Sequence, residues 1–312
     1  MQASAKKIFA VFGNPILHSR SPQLFNAVFV HENINALYTR IQATNGKEVV
    51  DIIKKHKISG ANITTPFKET VLEYVDSISD EARQIGGINV IINSNGALSG
   101  HNTDHIGVTT SLENITDLKT ANCLVLGAGA AARAAVFGLI LKGANVTVAN
   151  RTFEKAKQIA KTFNCKAISL DKLEQSISKT DIIVSSLLPH ANPLQGIILP
   201  KNLIILDANY RRSGVADYAL KQECRLISGK EWLLYQAIET YKLFFGKEPD
   251  KSIMEKKFSS NLNSENINAL ALNPNVKHVD FQDVDIAIYT SSNNEAEFKK
   301  RLNEEKNLLI NG

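Results

Sequence analysis

The stretch from Asn122 to Lys155 constrains this chain more than any other. Cys123 to Leu126 is a short apolar run of the buried-strand type. Gly127-x-Gly129-x-x-Ala132 follows directly, and an Ala-rich helical run continues to about Lys142. Gly143 closes that helix, and Val146 to Ala149 give the next strand. The result is a βαβ unit with its glycine turn where a dinucleotide-binding fold carries one. Gly127 permits the tight turn, Gly129 lets a pyrophosphate approach the backbone at a helix N-terminus, and Ala132 is small enough for helix to pack on strand. A glycine turn that serves packing alone is the bland alternative, and the flanking strand and helix weigh against it. The expectation is a nicotinamide or flavin dinucleotide site.

The end of the second strand narrows the cofactor. A site for NAD wants an acidic residue about 20 positions on, to bond the ribose 2′-hydroxyl. Here Asn150-Arg151-Thr152 stands there, with Lys155 one helical turn later. Arg151 can stack on adenine and pair with a 2′-phosphate, and Thr152 and Lys155 can add bonds. Arg151 as an ordinary surface arginine is the alternative; its place at the strand end favours NADP(H).

A chain of 312 residues suits two domains. The apolar share of 44% and charged share of 21% are those of a globular protein. A formal charge of +5 fits anionic ligands but, without a Lys/Arg run, gives no reason to expect nucleic acid. Cys123, Cys165 and Cys224 are scattered and lack metal spacing, as do the seven histidines, so no metal is expected and the cysteines read as reduced core residues of a cytoplasmic protein. The apolar part of Met1 to Phe12 is too short for a signal peptide, and no run approaches a membrane span.

The first hundred residues read as strand–helix repeats. Strands are expected at Ile8 to Phe12, Leu37 to Ile41 and Ile58 to Thr64, with helices after Ser21-Pro22, over Glu48 to His56 and after Pro66. Asn95-Gly96 marks a hairpin. Asp104 to Glu113 reads as a connecting helix, and Trp232 to Phe245 as a long amphipathic one. Residues Lys251 to Asn273 are Ser/Asn/Lys-rich and weakly periodic; Val279 to Tyr289 suggests a strand and Asn294 to Leu309 a charged helix. This tail is expected to be a weakly packed appendage, with a regulatory or oligomerisation role as the alternative.

Four strand-end segments gather polar side chains where α/β sheets bind ligands. Ser19 and Ser21 could both aim hydroxyls at a carboxylate, unless Ser21 is simply the helix cap. Asn62 and Thr64 alternate on a strand and so share a face. Lys68, expected in the first turn of the helix opened by Pro66, opposes the helix dipole, and unless it is a solvated surface lysine it serves something else. Asn89 precedes the hairpin, while Asn102, Thr103 and Asp104 follow it; capping accounts for one of that trio and not for three. Hydroxyls, amides, one cation and one carboxylate suit a small polyhydroxylated acid, and a Lys–Asp pair can transfer a proton.

With these residues assembled, the chain resembles the shikimate dehydrogenase family from about Ile8 to Gly246. The motifs are Gly13-x-Pro-Ile-x-His-Ser-x-Ser-Pro22, Asn62-Ile-Thr-x-Pro-x-Lys68, Gly100-x-Asn-Thr-Asp104, Leu126-Gly-Ala-Gly129 with Ala-Ala-Arg133, Asn150-Arg-Thr152, Asp207-x-x-Tyr210, and Gly229 followed by Gln236-Ala237. The resemblance implies an N-terminal α/β substrate domain over residues 1–104, with helix 230–246 packing back onto it. It implies a Rossmann-type NADP domain over 105–229, a cleft between the two, and an extension of unknown role over 247–312. It further implies Lys68 and Asp104 as the catalytic pair. Ser19, Ser21, Asn62, Thr64, Asn89, Thr103, Tyr210 and Gln236 would bind substrate. Gly127, Ala128, Gly129, Ala130, Ala131, Asn150, Arg151, Thr152, Lys155 and Gly229 would bind the cofactor. The implied reaction is NADPH-dependent reduction of 3-dehydroshikimate to shikimate, toward aromatic amino acids, by a protein that is a monomer or homodimer.

The chain departs from the family pattern at Phe25 for a usual histidine, where little effect is expected, and at Ala130 for a common glycine. It also departs at Ser185-Ser-Leu-Leu-Pro189 for an Asn-Ala-Thr-Pro-type loop, after Tyr210, and at Trp232 for a frequent methionine. Because these changes cluster on the cofactor side, two alternatives stay open: a quinate/shikimate paralogue preferring NAD, and a non-catalytic metabolite sensor.

Overall fold

Apolar strands alternating with amphipathic helices build two separate sheets. The computed structural model describes residues 6–258, 262–275, 279–290 and 294–311. It divides into two compact units: Met1–Asn102 with Ala237–Gly312, and Thr103–Gln236. In chain order the first unit begins with β1 (Lys7–Gly13), α1 (Ser21–His31), β2 (Ala36–Gln42), α2 (Gly46–Lys55), β3 (Gly60–Ile63), β4 (Ser77–Ile78), α3 (Asp80–Ile85), β5 (Val90–Ser94) and β6 (Ala97–His101).

The second unit carries α4 (Asp104–Glu113), β7 (Asn122–Leu126), α5 (Ala130–Leu141), β8 (Asn145–Ala149), α6 (Phe153–Phe163), β9 (Lys166–Ile168), α7 (Leu173–Ile177), β10 (Ile182–Ser185), β11 (Ile204–Asp207), α8 (Gly214–Lys221) and β12 (Arg225–Ile227). Helix α9 (Gly229–Phe245) starts in the second unit and ends in the first. The first unit is then completed by α10 (Lys251–Lys257), β13 (Ala269–Leu272), β14 (Ile286–Tyr289) and α11 (Glu295–Asn311).

The second unit's strands run in the order β12-β11-β10-β7-β8-β9, all parallel, as a doubly wound dinucleotide fold requires. Val125, Val148 and Val184 pack with Ala132, Ala135 and Val136 of α5 on one face; Leu124, Leu126 and Ile183 pack with Val215 and Ala219 of α8 on the other. In the first unit the order is β13-β14-β2-β1-β3-β5-β6-β4, with β5 and β6 antiparallel. The hairpin between them turns through Asn95 (φ 55°) and Gly96 (φ 100°), the backbone sense of a type I′ turn. An aromatic cluster of Phe9, Phe25, Phe29, Tyr241, Phe244 and Phe245 joins β1 and α1 to the C-terminal part of α9.

Several expectations change. Ser21 is the first residue of α1, not its cap; Arg20 holds that position without a side-chain bond, and Pro22 follows within the first turn. No α-helix follows Pro66: the chain makes a turn and then a 3-10 helix over Thr70–Glu73, so Lys68 does not oppose a helix dipole. Helix α8 has no counterpart in the sequence reading; Ser213 caps it by accepting from the Ala216 N–H at 3.0 Å. The tail is no appendage. Strand β14 pairs in parallel with β2 (Ile286 opposite Arg40), and β13 pairs with β14. Leu272, Phe281 and Ala287 are buried in the same core as Ile41, Val49 and Ile53.

Because Leu272 is fully packed, Leu272→Ala is expected to destabilise the protein by about 2–4 kcal/mol, lowering the midpoint of urea unfolding. An unmoved midpoint would show that the tail's burial contributes nothing.

Candidate active site

The loop from Asn14 to Arg20 leaves the C-terminal end of β1 and enters α1. It has no regular structure and yet is buried, with Ile16 and Leu17 at 0% exposure. Its shape sets the hydroxyls of Ser19 and Ser21 3.4 Å apart, and the Ser21 N–H points at the Ser19 hydroxyl over the same distance. The guanidinium of Arg40 donates to the Ser19 carbonyl through Nε at 2.9 Å and Nη2 at 2.6 Å. Two buried hydroxyls at the start of a helix can share the oxygens of a carboxylate.

Strand β3 delivers Asn62. Its amide nitrogen donates to the Asn89 carbonyl at 3.2 Å and to the Thr240 hydroxyl at 3.3 Å. Its oxygen accepts from the Tyr38 hydroxyl at 2.6 Å, and the Ser21 side chain lies beside that hydroxyl. Asn89 is held from both sides, donating its N–H to His101 and accepting from that of Ile63. Thr64 lies just past β3, where its N–H reaches the Phe12 carbonyl at 2.9 Å; a Cβ on Gly13 would strike the Thr64 methyl at 2.6 Å, so the two strand ends cross closely. Lys68 sits beyond the turn, half-buried, and its carbonyl takes the N–H of Ile88 at 2.8 Å, next to Asn89. The first unit thus gathers Ser19 with Ser21 and Asn62 with Asn89, with Thr64 just past the end of β3 and Lys68 in the turn that follows.

The second unit holds the remaining predicted substrate residues. Thr103 occupies the N-cap position of α4 without capping it. Its hydroxyl instead reaches the Gln236 side-chain oxygen at 3.4 Å. Asp104 is buried in the first turn of α4, where the helix dipole favours a carboxylate. Gly107 lets α4 and α9 close up, since a Cβ there would lie 2.7 Å from the Trp232 carbonyl. Tyr210 follows Asp207, a buried carboxylate that accepts from the Asn209 amide at 3.0 Å and from the Ser213 hydroxyl.

The glycine loop fits a nucleotide. Gly127 has φ 125°, the region that favours glycine. Gly129 is the N-cap of the twelve-residue α5, and a Cβ there would meet no atom within 4 Å. Nothing among the described residues demands glycine at that point, whereas a phosphate approaching the helix N-terminus would. Ala128, Ala130 and Ala131 line the same turn, and Ala132 is wholly buried against the strands. At the end of β8, Asn150 bonds the Thr152 carbonyl at 3.0 Å and fixes the turn that presents Arg151 and Thr152. Arg151, Thr152 and Lys155 are exposed, and among the described residues neither Arg151 nor Lys155 is in an ion pair. That donor set suits an adenosine carrying a 2′-phosphate. Gly229 has a different reason to be glycine: a side chain there would collide with the backbone of Ala208 and Asn209. Burial pushes the thiols of Cys123 and Cys165 up to about 12 and about 11, and raises that of Cys224 as well, so no cysteine here is a ready thiolate.

Sequence reasoning missed three residues, all on one face of β2. Tyr38, Arg40 and Gln42 alternate with Leu37, Thr39 and Ile41, and all three are buried. The signal was legible as Tyr-x-Arg-x-Gln, three hydrogen-bonding side chains at a period of two. Phe25, where little effect is expected from the sequence, stacks on Tyr38 with ring centroids 4.5 Å apart and so supports the ring whose hydroxyl donates to Asn62.

Comparison with known proteins agrees with this division of labour. Residues 11–91 match the model of the shikimate dehydrogenase substrate binding domain, and residues 110–195 match that of shikimate/quinate 5-dehydrogenase. The shikimate dehydrogenase (NADP(+)) of Pyrococcus furiosus is 36% identical over 258 residues, which is 80% of this chain and 94% of that protein. The crystal structure of shikimate dehydrogenase from Aquifex aeolicus superposes with a TM-score of 0.78 at 30% identity, covering 83% of this chain and all of the other. That of Thermus thermophilus, in complex with NADP(H) and shikimate, gives 0.73 at 30% identity over 80% of this chain and 98% of the other. By its substrate motifs, its nucleotide turn and these matches along most of its length, the chain belongs to the shikimate dehydrogenase family.

Proposed function

We propose that this chain is an NADP-dependent oxidoreductase that interconverts 3-dehydroshikimate and shikimate. The observation that carries the reading is the buried group of Ser19 with Ser21 and of Tyr38 with Asn62, which lies inside the segment matching the substrate binding domain of shikimate dehydrogenases. Ser19 and Ser21 hold the substrate carboxylate. Asn62, Thr64, Asn89, Thr103, Tyr210 and Gln236 take its hydroxyls and carboxylate, and the amide–hydroxyl pairing of Thr103 with Gln236 supports that role. Lys68 and Asp104 are the proton-transfer pair: as the carbonyl is reduced, its oxygen takes a proton from the Lys68 ammonium, and in the reverse direction Lys68 takes the proton from the hydroxyl. Bound NADP(H) gives or takes the hydride. Gly127 to Ala131 cradle its phosphates, Asn150, Arg151, Thr152 and Lys155 select the 2′-phosphate, and Gly229 lies beside the nicotinamide. No described helix is long and apolar enough to cross a membrane. The reading includes a cytoplasmic setting, small-molecule partners only, and a monomer or homodimer.

Initial rates with shikimate and quinate against NADP⁺ and NAD⁺ test the assignment; turnover of shikimate with NADP⁺ is expected, and inactivity toward shikimate with both cofactors sinks it. Lys68→Ala is expected to lower kcat by a factor of about 10² or more while leaving shikimate binding within a few-fold, read by single-turnover kinetics and equilibrium titration. Arg151→Ala is expected to raise KM for NADP⁺ about tenfold with little change for shikimate; equal changes in both would contradict the 2′-phosphate role.

A further inference from the structure

Residues 251–312 lie beyond both segments that match the family models, yet they reach the loop that carries Ser19 and Ser21, directly at its near end and through Arg40 at its far end. At the near end stands Glu305, on α11. It is 1% exposed. Its Oε2 accepts from the main-chain N–H of Leu17 at 2.9 Å and of Ile16 at 3.0 Å, and its Oε1 accepts from Ile16 at 3.0 Å and from the Gln42 amide. The same Gln42 nitrogen lies 3.2 Å from the Asn14 side-chain oxygen. Burial raises the Glu305 carboxyl from its ordinary range, and the bonds from Leu17, Ile16 and Gln42 together with the Arg301 charge pull it back. A carboxylate is expensive to bury and is kept where its acceptors have work.

At the far end stands Arg40. While Nε and Nη2 grip the Ser19 carbonyl, Nη1 donates to the carbonyl of Asp285 at 3.3 Å, immediately before β14. One residue along, the Thr39 hydroxyl donates to the Val284 carbonyl at 2.7 Å, and β14 then pairs with β2 from Ile286 opposite Arg40. The tail therefore fixes the strand that holds the far end of the loop and directly occupies the N–H groups at the near end.

We propose that the C-terminal segment is a clamp on the substrate-carboxylate loop, with Glu305 its positioning residue. It touches no substrate. It holds Ile16 and Leu17, and with Arg40 it fixes the spacing and direction of Ser19 and Ser21, so that carboxylate binding is preorganised. The proposal rests on the reading of those two serines as carboxylate ligands.

The test uses the full-length protein with Glu305→Gln, which keeps shape but turns one acceptor into a donor facing N–H groups, and Leu272→Ala as a control that weakens the same segment away from the loop. Kinetics with shikimate and NADP⁺ and hydrogen–deuterium exchange of the peptide spanning residues 14–24 are read on both. Glu305→Gln is expected to raise KM for shikimate about tenfold, leave kcat and KM for NADP⁺ within about twofold, and speed exchange in that peptide; Leu272→Ala lowers the thermal midpoint without splitting KM from kcat. An unchanged KM for shikimate, or the same rise in both variants, overturns the clamp. If wild type does not turn over shikimate, the catalytic reading has failed on its own, and exchange in residues 14–24 decides: faster in Glu305→Gln alone supports the clamp, unchanged overturns it.

Discussion

A loop taken out of water must find a partner for each of its main-chain N–H and C=O groups, and the segment from Asn14 to Arg20 sets the terms for much of the first unit. Its N–H groups go to Thr65 (from Asn14), to Glu305 (from Ile16 and Leu17) and back to Ile16 (from Ser19); the Ser19 carbonyl goes to Arg40. Each partner comes from a different element, so the loop is defined only when β2, the turn after β3 and α11 are all in place. The positions of the two serines are a consequence of that agreement.

Legibility followed the range of the interactions involved. The βαβ unit with its glycine turn could be read directly, because period, turn residue and helix stop lie within thirty positions of one another. Helix α4 and the hairpin at Asn95-Gly96 fall where local pattern puts them, for the same reason. The helix expected after Pro66 did not form: Thr64 and Thr65 are committed to Phe12 and Asn14, and the chain leaves that crossing as a turn. Ser21 reads as a cap because Ser-Pro is a good start signal, but the helix begins one residue early, which frees its hydroxyl for Ser19. The tail was least legible. Strand β14 is four residues long and earns its place by pairing with β2, nearly 250 positions away, which no window of sequence reports. The polar stripe Tyr38, Arg40, Gln42 is local too, but period-two alternation marks a buried face by its apolar side chains, and here both faces of β2 are buried and one carries polar ones.

The two units treat charge differently. Around the serines the donors and acceptors are buried: Tyr38 stays protonated because burial raises its hydroxyl well above the ordinary value, outweighing the opposing effects of Asn62, Ser21 and Arg40. A neutral, fixed hydroxyl held by Asn62 gives direction without adding a charge to these surroundings. At the end of β8, by contrast, Arg151 and Lys155 stand in solvent. There they can meet a dianionic phosphate without a desolvation cost incurred in advance, and salt will weaken that attraction more than it weakens the buried network.

The order of the larger sheet carries a consequence for how copies of this chain can meet. Without β14, strand β2 would be the sheet's margin, a seven-residue row of unpaired main-chain groups able to template another backbone. With the tail in place the margins are β13, four residues long, and β4, only two. Neither offers much of a rail for an incoming strand. Self-association through the larger sheet therefore has to be written in side chains rather than in shared backbone ladders.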